Sequence, residues 1–398
     1  MLRETLPAAR KTDFENTSFW ASGKQNARLS GFDSQGFLGS LADRGFWASG
    51  AQWPRTQESW HGSANREHLL GAVWPYWQFF HNHRIVQFIL VATSCGLGEV
   101  MAQRALQLGT TGIWTNQLDS LPGARAQEIA VEIEALGFGA LWFGEAFGRE
   151  ALTLAGLLLA GTRRIVIATG IANIYGRDPV TMAAAQKTLA EFYPDRFLLG
   201  LGVSHVPLVE QLRGHRYDKP VATMRGYLDA MDRAPYRAAP PALKPLRVLA
   251  ALGPQMLRLA AERADGAHPY NTTPKHTAQA RELLGAGALL CPEQAVILET
   301  NAARARAIAR KFLAIYLTLP NYTNNFLRLG FSEADFANGG SDGLIDAVIV
   351  WGDMKIVLSR VDEHRSAGAD HVCIQVLTES EQEFPLREIR EIATALQP

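Results

Sequence analysis

The sequence predicts an α/β protein folded as a (β/α)8 TIM barrel, with a non-barrel N-terminal extension in front of it. Three observations carry the prediction. From Leu108 onward, short apolar runs alternate with segments of helical periodicity, the pattern of βαβ units around a parallel sheet. The apolar runs have no alternating polar face, as expected of strands covered on both sides. Eight such runs can be counted, most of them separated by a helix, and that number closes a barrel of about 250 residues or more.

The first run covers 111–114. Ser120-Leu121-Pro122 opens a helix, with Ser120 as N-cap and Pro122 inside the first turn. Ile129, Ile133 and Leu136 form its i, i+4, i+7 stripe, and Gly137 closes it. The second run, 140–143, ends at Gly144-Glu145 and leads into a helix over 150–160. The third, 165–169, passes into Gly170-Ile171-Ala172-Asn173. Pro179 starts the next helix, striped by Met182, Ala185, Leu189 and Phe192. The fourth run begins at Phe197 and ends in Gly200-Leu201-Gly202, with Val203, Ser204 and His205 behind it. Helical segments near 206–212 and 223–231 follow, then a Pro- and Ala-rich connection over 233–245. The fifth run, 247–251, meets Gly253-Pro254 and a helix to 264. A short sixth run, 266–269, precedes a helix near 274–284, and the seventh, 294–299, precedes a long helix over 302–317. Residues 320–342 read as an irregular excursion over the barrel mouth. Met354, Val357, Leu358 and Val361 mark the helix before the eighth run, 371–375, and a terminal helix closes near Leu396.

Composition narrows the function classes. Of 398 residues, 47% are hydrophobic and 20% charged, enough to build a sizeable core. Basic and acidic residues balance at 39 each, so no net charge points to nucleic acid or to an anionic membrane. Cys95, Cys291 and Cys373 are far apart and form no CxxC, which argues against a zinc ribbon or a disulfide framework and fits a reducing cytoplasm. The apolar run 85–92 is interrupted by Gln87 and far shorter than the roughly 20 residues of a membrane span.

Residues 1–100 differ from the rest. They hold six of the nine tryptophans, and 1–68 show no sustained periodicity. The expectation is a poorly structured extension, with an aromatic-rich accessory domain as a second reading. A third is translated upstream sequence before a start at Met101, since regular patterning begins within ten residues of it. The domain reading is therefore 1–100 and 101–398.

Candidate site residues all follow a strand, so the barrel places them on one face, where such folds carry their chemistry. His205 can move a proton or hold an anion near neutrality. Glu145 can orient a base or polarise a ring. Thr169, Gly170, Ile171 and Ala172 place small groups where a flat ring could lie against backbone. Gly200 and Gly202 would let backbone approach a ligand closely, with Val203 and Ser204 beside them. Gly253, Pro254, Gln255 and Met256 open a helix whose free N–H groups, at Gln255 and Met256, suit a phosphate. Tyr270-Asn271 could close over the ligand. No GxxxxGK[ST], HExxH or GxSxG is present, and His81-Asn82-His83 lacks a third partner at useful spacing, so no metal site is expected. A dinucleotide fold is disfavoured, because the GxG follows the fourth strand rather than the first and His205 stands where that fingerprint needs glycine.

From Leu108 to the C-terminus the chain resembles the bacterial luciferase-like monooxygenase superfamily, in particular its coenzyme F420-dependent oxidoreductase branch. The residues that carry the resemblance are Ile165-Val-Ile-Ala-Thr-Gly-Ile-Ala-Asn173, Arg177-Asp-Pro-Val-Thr-Met-Ala-Ala-Ala185 and Tyr193-Pro-Asp-Arg-Phe-Leu-Leu-Gly-Leu-Gly-Val203. Leu136-Gly-Phe-Gly-Ala-Leu-Trp-Phe-Gly-Glu145 and Leu252-Gly-Pro-Gln-Met256 support it. The resemblance implies a luciferase-like barrel, often dimeric, with F420 or alternatively FMN in its mouth. It implies a non-proline cis peptide near Thr169-Gly170-Ile171, a cofactor-phosphate contact at Gly253–Met256, and Trp114 facing the pocket. Relatives often follow the acid of the second strand with a catalytic histidine; here Ala146 stands there, so the role is vacant or moves to His205 or Glu145. The expected function is hydride transfer between F420 and a small organic substrate. The alternatives are an FMN-dependent monooxygenase that activates oxygen and a non-catalytic flavin-binding protein or partner subunit.

Overall fold

A computed structural model describes residues 106–380 and 382–397. The tryptophan-rich extension, Cys95, His81-Asn82-His83 and the Met101 boundary lie outside the described residues.

The strands are β1 (Thr111–Trp114), β2 (Ala140–Phe143), β3 (Val166–Thr169), β4 (Ala172–Asn173), β5 (Phe197–Gly202), β6 (Arg247–Leu249), β7 (Gly266–Ala267), β8 (Leu289–Leu290), β9 (Glu293–Ile297), β10 (Val350–Trp351) and β11 (Val372–Val376). Every pairing among them is parallel. The hydrogen-bonded order runs β10-β9-β11-β1-β2-β3-β5-β6-β7-β8. Its two ends meet, because only Cys291-Pro292 separates β8 from β9. Across that joint the Cys291 N–H donates to Ala267 (2.9 Å) and the Glu293 N–H to Pro269 (2.8 Å), while Pro292 accepts from Cys373 (2.9 Å). Residues 289–297 are thus one strand with β7 on one edge and β11 on the other, and the ring of eight closes as the sequence predicts. The seam shows as a break because Pro292 has no N–H to give to the ladder. β4 and β10 are two-residue additions beside this ring that sequence patterning did not anticipate.

The helices are α1 (Gly123–Ala135), α2 (Ala151–Gly161), α3 (Pro179–Phe192), α4 (Pro220–Arg233), α5 (Pro254–Arg263), α6 (Pro274–Leu284), α7 (Ala302–Leu313), α8 (Pro320–Leu329), α9 (Asp342–Val348), α10 (Met354–Ser366) and α11 (Leu386–Leu396). Their apolar stripes, such as Ile129 and Ile133 on α1 or Val357 and Val361 on α10, bury against the outward faces of the strands. The inward faces form a second core of Trp114, Trp142, Leu198, Val248, Cys291 and Cys373. Trp142 stacks on His268 at 4.5 Å and donates its indole N–H to His371 Nε2 at 3.1 Å. Among the described residues no helix is long and apolar enough to cross a membrane.

Three local expectations need correction. Ser120 does not cap α1; it ends a 3-10 turn, and Pro122, with ψ at 147°, is the extended residue before the helix. The long helix expected over 302–317 stops at Leu313. The segment expected to be irregular folds as α8, a 3-10 stretch (Glu333–Gly339) and α9. Tyr322, Phe326 and Leu329 give α8 an i, i+4, i+7 buried stripe that outweighs the poor helix propensity of Asn321, Asn324 and Asn325.

Candidate functional site

The strand ends converge on a mouth whose floor is built around the end of β3. Thr169 is fully buried; its Oγ1 donates to the Gly200 carbonyl (2.8 Å) and accepts from the Gly200 N–H (2.9 Å). The next peptide, Gly170–Ile171, is cis, as the resemblance implied. Trp114 donates its indole N–H to the Gly170 carbonyl at 3.1 Å. A Cβ on Gly170 would lie 2.4 Å from that indole nitrogen and 2.9 Å from His268 Nε2. Ala172 and Asn173 then return to pair with Leu201 and Gly202 of β5.

This geometry revises the reason for Gly200 and Gly202. Both are buried within β5. A Cβ on Gly200 would sit 1.9 Å from the Thr169 carbonyl oxygen, and one on Gly202 would sit 2.5 Å from Ile171 Cδ1. The glycines make room for the β3–β4 turn, not for a ligand. Val203 packs against the outer core, and Ser204, in the left-handed region at φ 58°, turns the chain out of the strand.

His205 sits at the rim that follows. Its Nδ1 meets Asn321 Oδ1 of α8 at 3.2 Å, and its ring lies 5.6 Å from that of Tyr322. An amide oxygen only accepts, so Nδ1 carries the proton and Nε2 keeps a lone pair. Burial lowers the pKa of His205, and the Asn321 bond opposes the shift. From Tyr322 the aromatic contacts continue to Tyr316 (5.0 Å), to Tyr270 (5.6 Å) and to Trp114 (4.8 Å). With His205, that series joins the end of β1 to the rim beyond β5 across the mouth. The sequence points to Trp114, Tyr270 and His205 but not to Tyr316, which falls in the expected long helix, nor to Asn321 and Tyr322, which fall in the segment expected to be irregular.

Glu145 takes a different place from the one expected. Its carboxylate accepts from the Asn173 N–H (2.7 Å), from both terminal nitrogens of Arg177, and from the Ala151 N–H (3.3 Å) at the start of α2. Both side chains of the Glu145–Arg177 pair are largely buried, and Arg177 also reaches Glu150. His205 is not among these partners. Glu145 therefore anchors the β3–β4 turn to α2 and Arg177, which leaves it no free acceptor for proton chemistry at His205. Ala146 and Phe147 stand exposed beside it.

Gly253, Pro254, Gln255 and Met256 open α5 with no side-chain cap, so the first-turn N–H groups are free of intrahelical partners. Pro254 and Gln255 are exposed and Met256 is buried. Arg328 of α8 lies over this turn, 3.5 Å from where a Gly253 Cβ would be. Its guanidinium donates to Asn325 Oδ1 at 3.4 Å, and the buried Asn325 Nδ2 has no hydrogen-bond partner. A cation, an unpartnered amide N–H and a helix N-terminus together suit an anion such as a phosphate group.

A cavity of about 430 Å³ opens between β1, β11 and α7, lined by Trp114, Asn116, Lys311, Phe312, Tyr316 and Gln375 among others. Of the residues expected at the site, Trp114 lines it; Gly200–His205 and Gly253–Met256 lie elsewhere around the mouth. Among the described residues no group of three or more His, Cys, Asp or Glu could hold a metal ion.

The comparisons with known proteins agree with this architecture. The chain is 25% identical over 344 residues to a Mycobacterium tuberculosis protein named "Putative coenzyme F420-dependent oxidoreductase", covering 71% of this chain and 96% of the relative. An F420-dependent secondary alcohol dehydrogenase solved with an F420–acetone adduct superposes with a TM-score of 0.58 at 14% identity, over 73% of this chain and 99% of that one. The oxygenating constituent of a Pseudomonas putida type II Baeyer–Villiger monooxygenase, solved with FMN, gives 0.57 at 13% identity, over 72% and 96%. The family model described as luciferase-like monooxygenase matches residues 106–371. With well over half of its length matched, and with the closed parallel barrel that the match requires, the chain belongs to the luciferase-like monooxygenase family.

Proposed function

We propose that the protein is an oxidoreductase that transfers hydride between coenzyme F420 and a small organic substrate. The observation that carries the reading is the similarity to an F420-dependent oxidoreductase over 96% of that relative's length. When bound, the deazaflavin supplies the hydride chemistry. This chain's residues bind, orient and move protons. The N–H groups of Gln255 and Met256, with Arg328 and Asn325, hold the cofactor phosphate. Thr169, Gly170, Ile171 and Ala172 give the ring a rigid backbone surface, fixed from behind by Trp114 and His268. His205, with Nδ1–H held by Asn321, offers Nε2 as the proton acceptor. The family resemblance also carries a homodimer.

An FMN-dependent reading stands beside it, because the FMN-bound monooxygenase shares the fold almost equally well, at a TM-score of 0.57 against 0.58. A spectral titration of the purified protein with F420 and with FMN decides between them. Tight binding of F420 alone is the expected result; binding of neither overturns the proposal.

The His205→Ala variant is expected to bind the cofactor as the parent does and to lose about 10²–10⁴-fold in turnover. Because burial lowers the pKa of His205, the parent should keep its base neutral down to below the ordinary histidine value of about 6.5 and lose activity as pH falls through that point. The variant should lack that acid limb. Unchanged turnover would remove His205 from the reaction.

A further inference from the structure

Glu293 is a carboxyl in the barrel interior that the roles above leave unused. Along 289–297 side chains alternate faces. Cys291 joins the interior core, whereas Gln294 points outward to His364 of α10, whose Nε2 meets Gln294 Oε1 at 2.9 Å. Glu293, two residues beyond Cys291, faces inward and is 1% exposed. Its Oε2 accepts the Asn271 N–H at 2.9 Å, and its Oε1 has no partner. No Lys, Arg or His is paired with it among the described residues.

Its surroundings share this lack of partners. Asn271, also 1% exposed and at φ 52°, has neither side-chain end hydrogen-bonded. His268 Nδ1 is taken by the Cys291 carbonyl at 2.7 Å, and its Nε2 is unpartnered. Buried polar atoms are nearly always satisfied, and a run of unsatisfied ones on two adjoining strands marks a place for ordered water or a polar ligand group. Besides His268, whose pKa burial lowers to about 4, keeping it neutral, the titratable groups that face Glu293 are Tyr270 from β7's end, Cys373 from β11, and Tyr316 and Tyr322 from the segment over the mouth. None of them is a cation. Burial therefore raises the Glu293 carboxyl to about 8, with the Asn271 N–H opposing. Tyr270, which interacts electrostatically with Glu293, reaches the cavity wall: its hydroxyl donates to Gln375 Oε1 (2.8 Å) and meets the Tyr316 hydroxyl (3.1 Å), and both those residues line the cavity.

We propose that Glu293 is the proton reservoir of the mouth, exchanging its carboxyl proton with the cavity through ordered water held at Asn271 and through the Tyr270–Gln375–Tyr316 group. In the outward step the Glu293 O–H bond breaks and a new O–H bond forms on the adjacent water, which passes a proton on. The carboxylate left behind is stabilised by the Asn271 N–H, and a proton from solvent restores the acid by the same route. No electrons change hands in the exchange. Glu293 is thus a group that acts through water and not on the substrate itself. The proposal rests on the hydride-transfer reading, since hydride transfer to or from an organic substrate must be matched by a proton.

The test uses the full chain. The infrared band of a protonated carboxyl is followed from pH 6 to pH 10, in the parent and in Glu293→Gln, whose amide oxygen can still accept from Asn271. The expected parent shows the band at neutral pH and loses it near pH 8, and the variant lacks it. The parent's unfolding supplies a second measurement that needs no variant. A folded-state carboxyl pKa raised from 4.5 means the folded chain holds a proton that the unfolded chain has released, so stability should fall as pH rises from 4.5 through about 8. In turnover, Glu293→Gln should bind F420 with unchanged affinity, lose at least about tenfold in rate, and lose the parent's inflection near pH 8 together with its solvent isotope effect. A parent without the carboxyl band at neutral pH overturns the proposal, as does a variant with the parent's pH profile and isotope effect. A parent that binds neither F420 nor FMN overturns the functional reading as well, which separates the two failures.

Discussion

Replacing Arg177 by Met should cost about 3–5 kcal/mol of folding stability, measured by urea unfolding. The size follows from what stays behind. Arg177 and Glu145 are both largely buried, at 9% and 6% side-chain exposure, and each is the other's charge partner. Removing the guanidinium leaves a carboxylate with two backbone N–H groups, from Asn173 and Ala151, and without its paired cation. Glu150, the second partner of Arg177, is half-exposed and can rehydrate, so it adds little. The double variant Arg177→Met, Glu145→Gln should recover much of the loss, because a neutral amide oxygen can keep one backbone donor without a buried charge. A single variant as stable as the parent would show that the pair contributes nothing and that the β3–β4 turn is held by other means.

Gly200→Ala is expected to be comparably damaging, at about 3 kcal/mol or more, with cofactor affinity reduced in step. The added methyl would fall 1.9 Å from the Thr169 carbonyl oxygen, a backbone atom that cannot rotate away. Either β3 or β5 must move, and the reciprocal bonds between Thr169 Oγ1 and Gly200 are lost with the register. Thr169 leads directly into the backbone surface proposed for the ring, so thermal unfolding and the cofactor titration should both register the change. Gly226→Ala on α4 is the natural control, since nothing lies within 4 Å of a methyl there.

Only parts of this protein were legible in its sequence. The eight strands were, because a run such as 197–201 is apolar throughout and has no other sensible use in an α/β chain. The helix starts at Pro179, Pro254 and Pro274 were as well, since each depends on a few adjacent residues. The meaning of Gly200 and Gly202 was not. A glycine at a strand end signals close approach, and only the fold tells whether a ligand or another strand does the approaching. Glu145 misled for a similar reason: its partner Arg177 lies 32 residues away, across the β3–β4 turn. Glu293 escaped notice because it stands one residue before the run read as the seventh strand, and its burial depends on neighbours from β7 and β11. The helical segment over the mouth was hidden by Pro320 and three asparagines, although Tyr322, Phe326 and Leu329 had the spacing to reveal it.

The joint at Cys291-Pro292 has a mechanical meaning. Here the closing strand runs continuously through the joint. β7 grips its one edge up to Glu293, and β11 grips the other from Leu290 onward, so the two grips overlap along the chain. The arrangement is a splice, and the polypeptide itself runs through the overlap. Freeing this strand from the barrel would require both ladders to be stripped, whereas the loss of either one alone opens the ring.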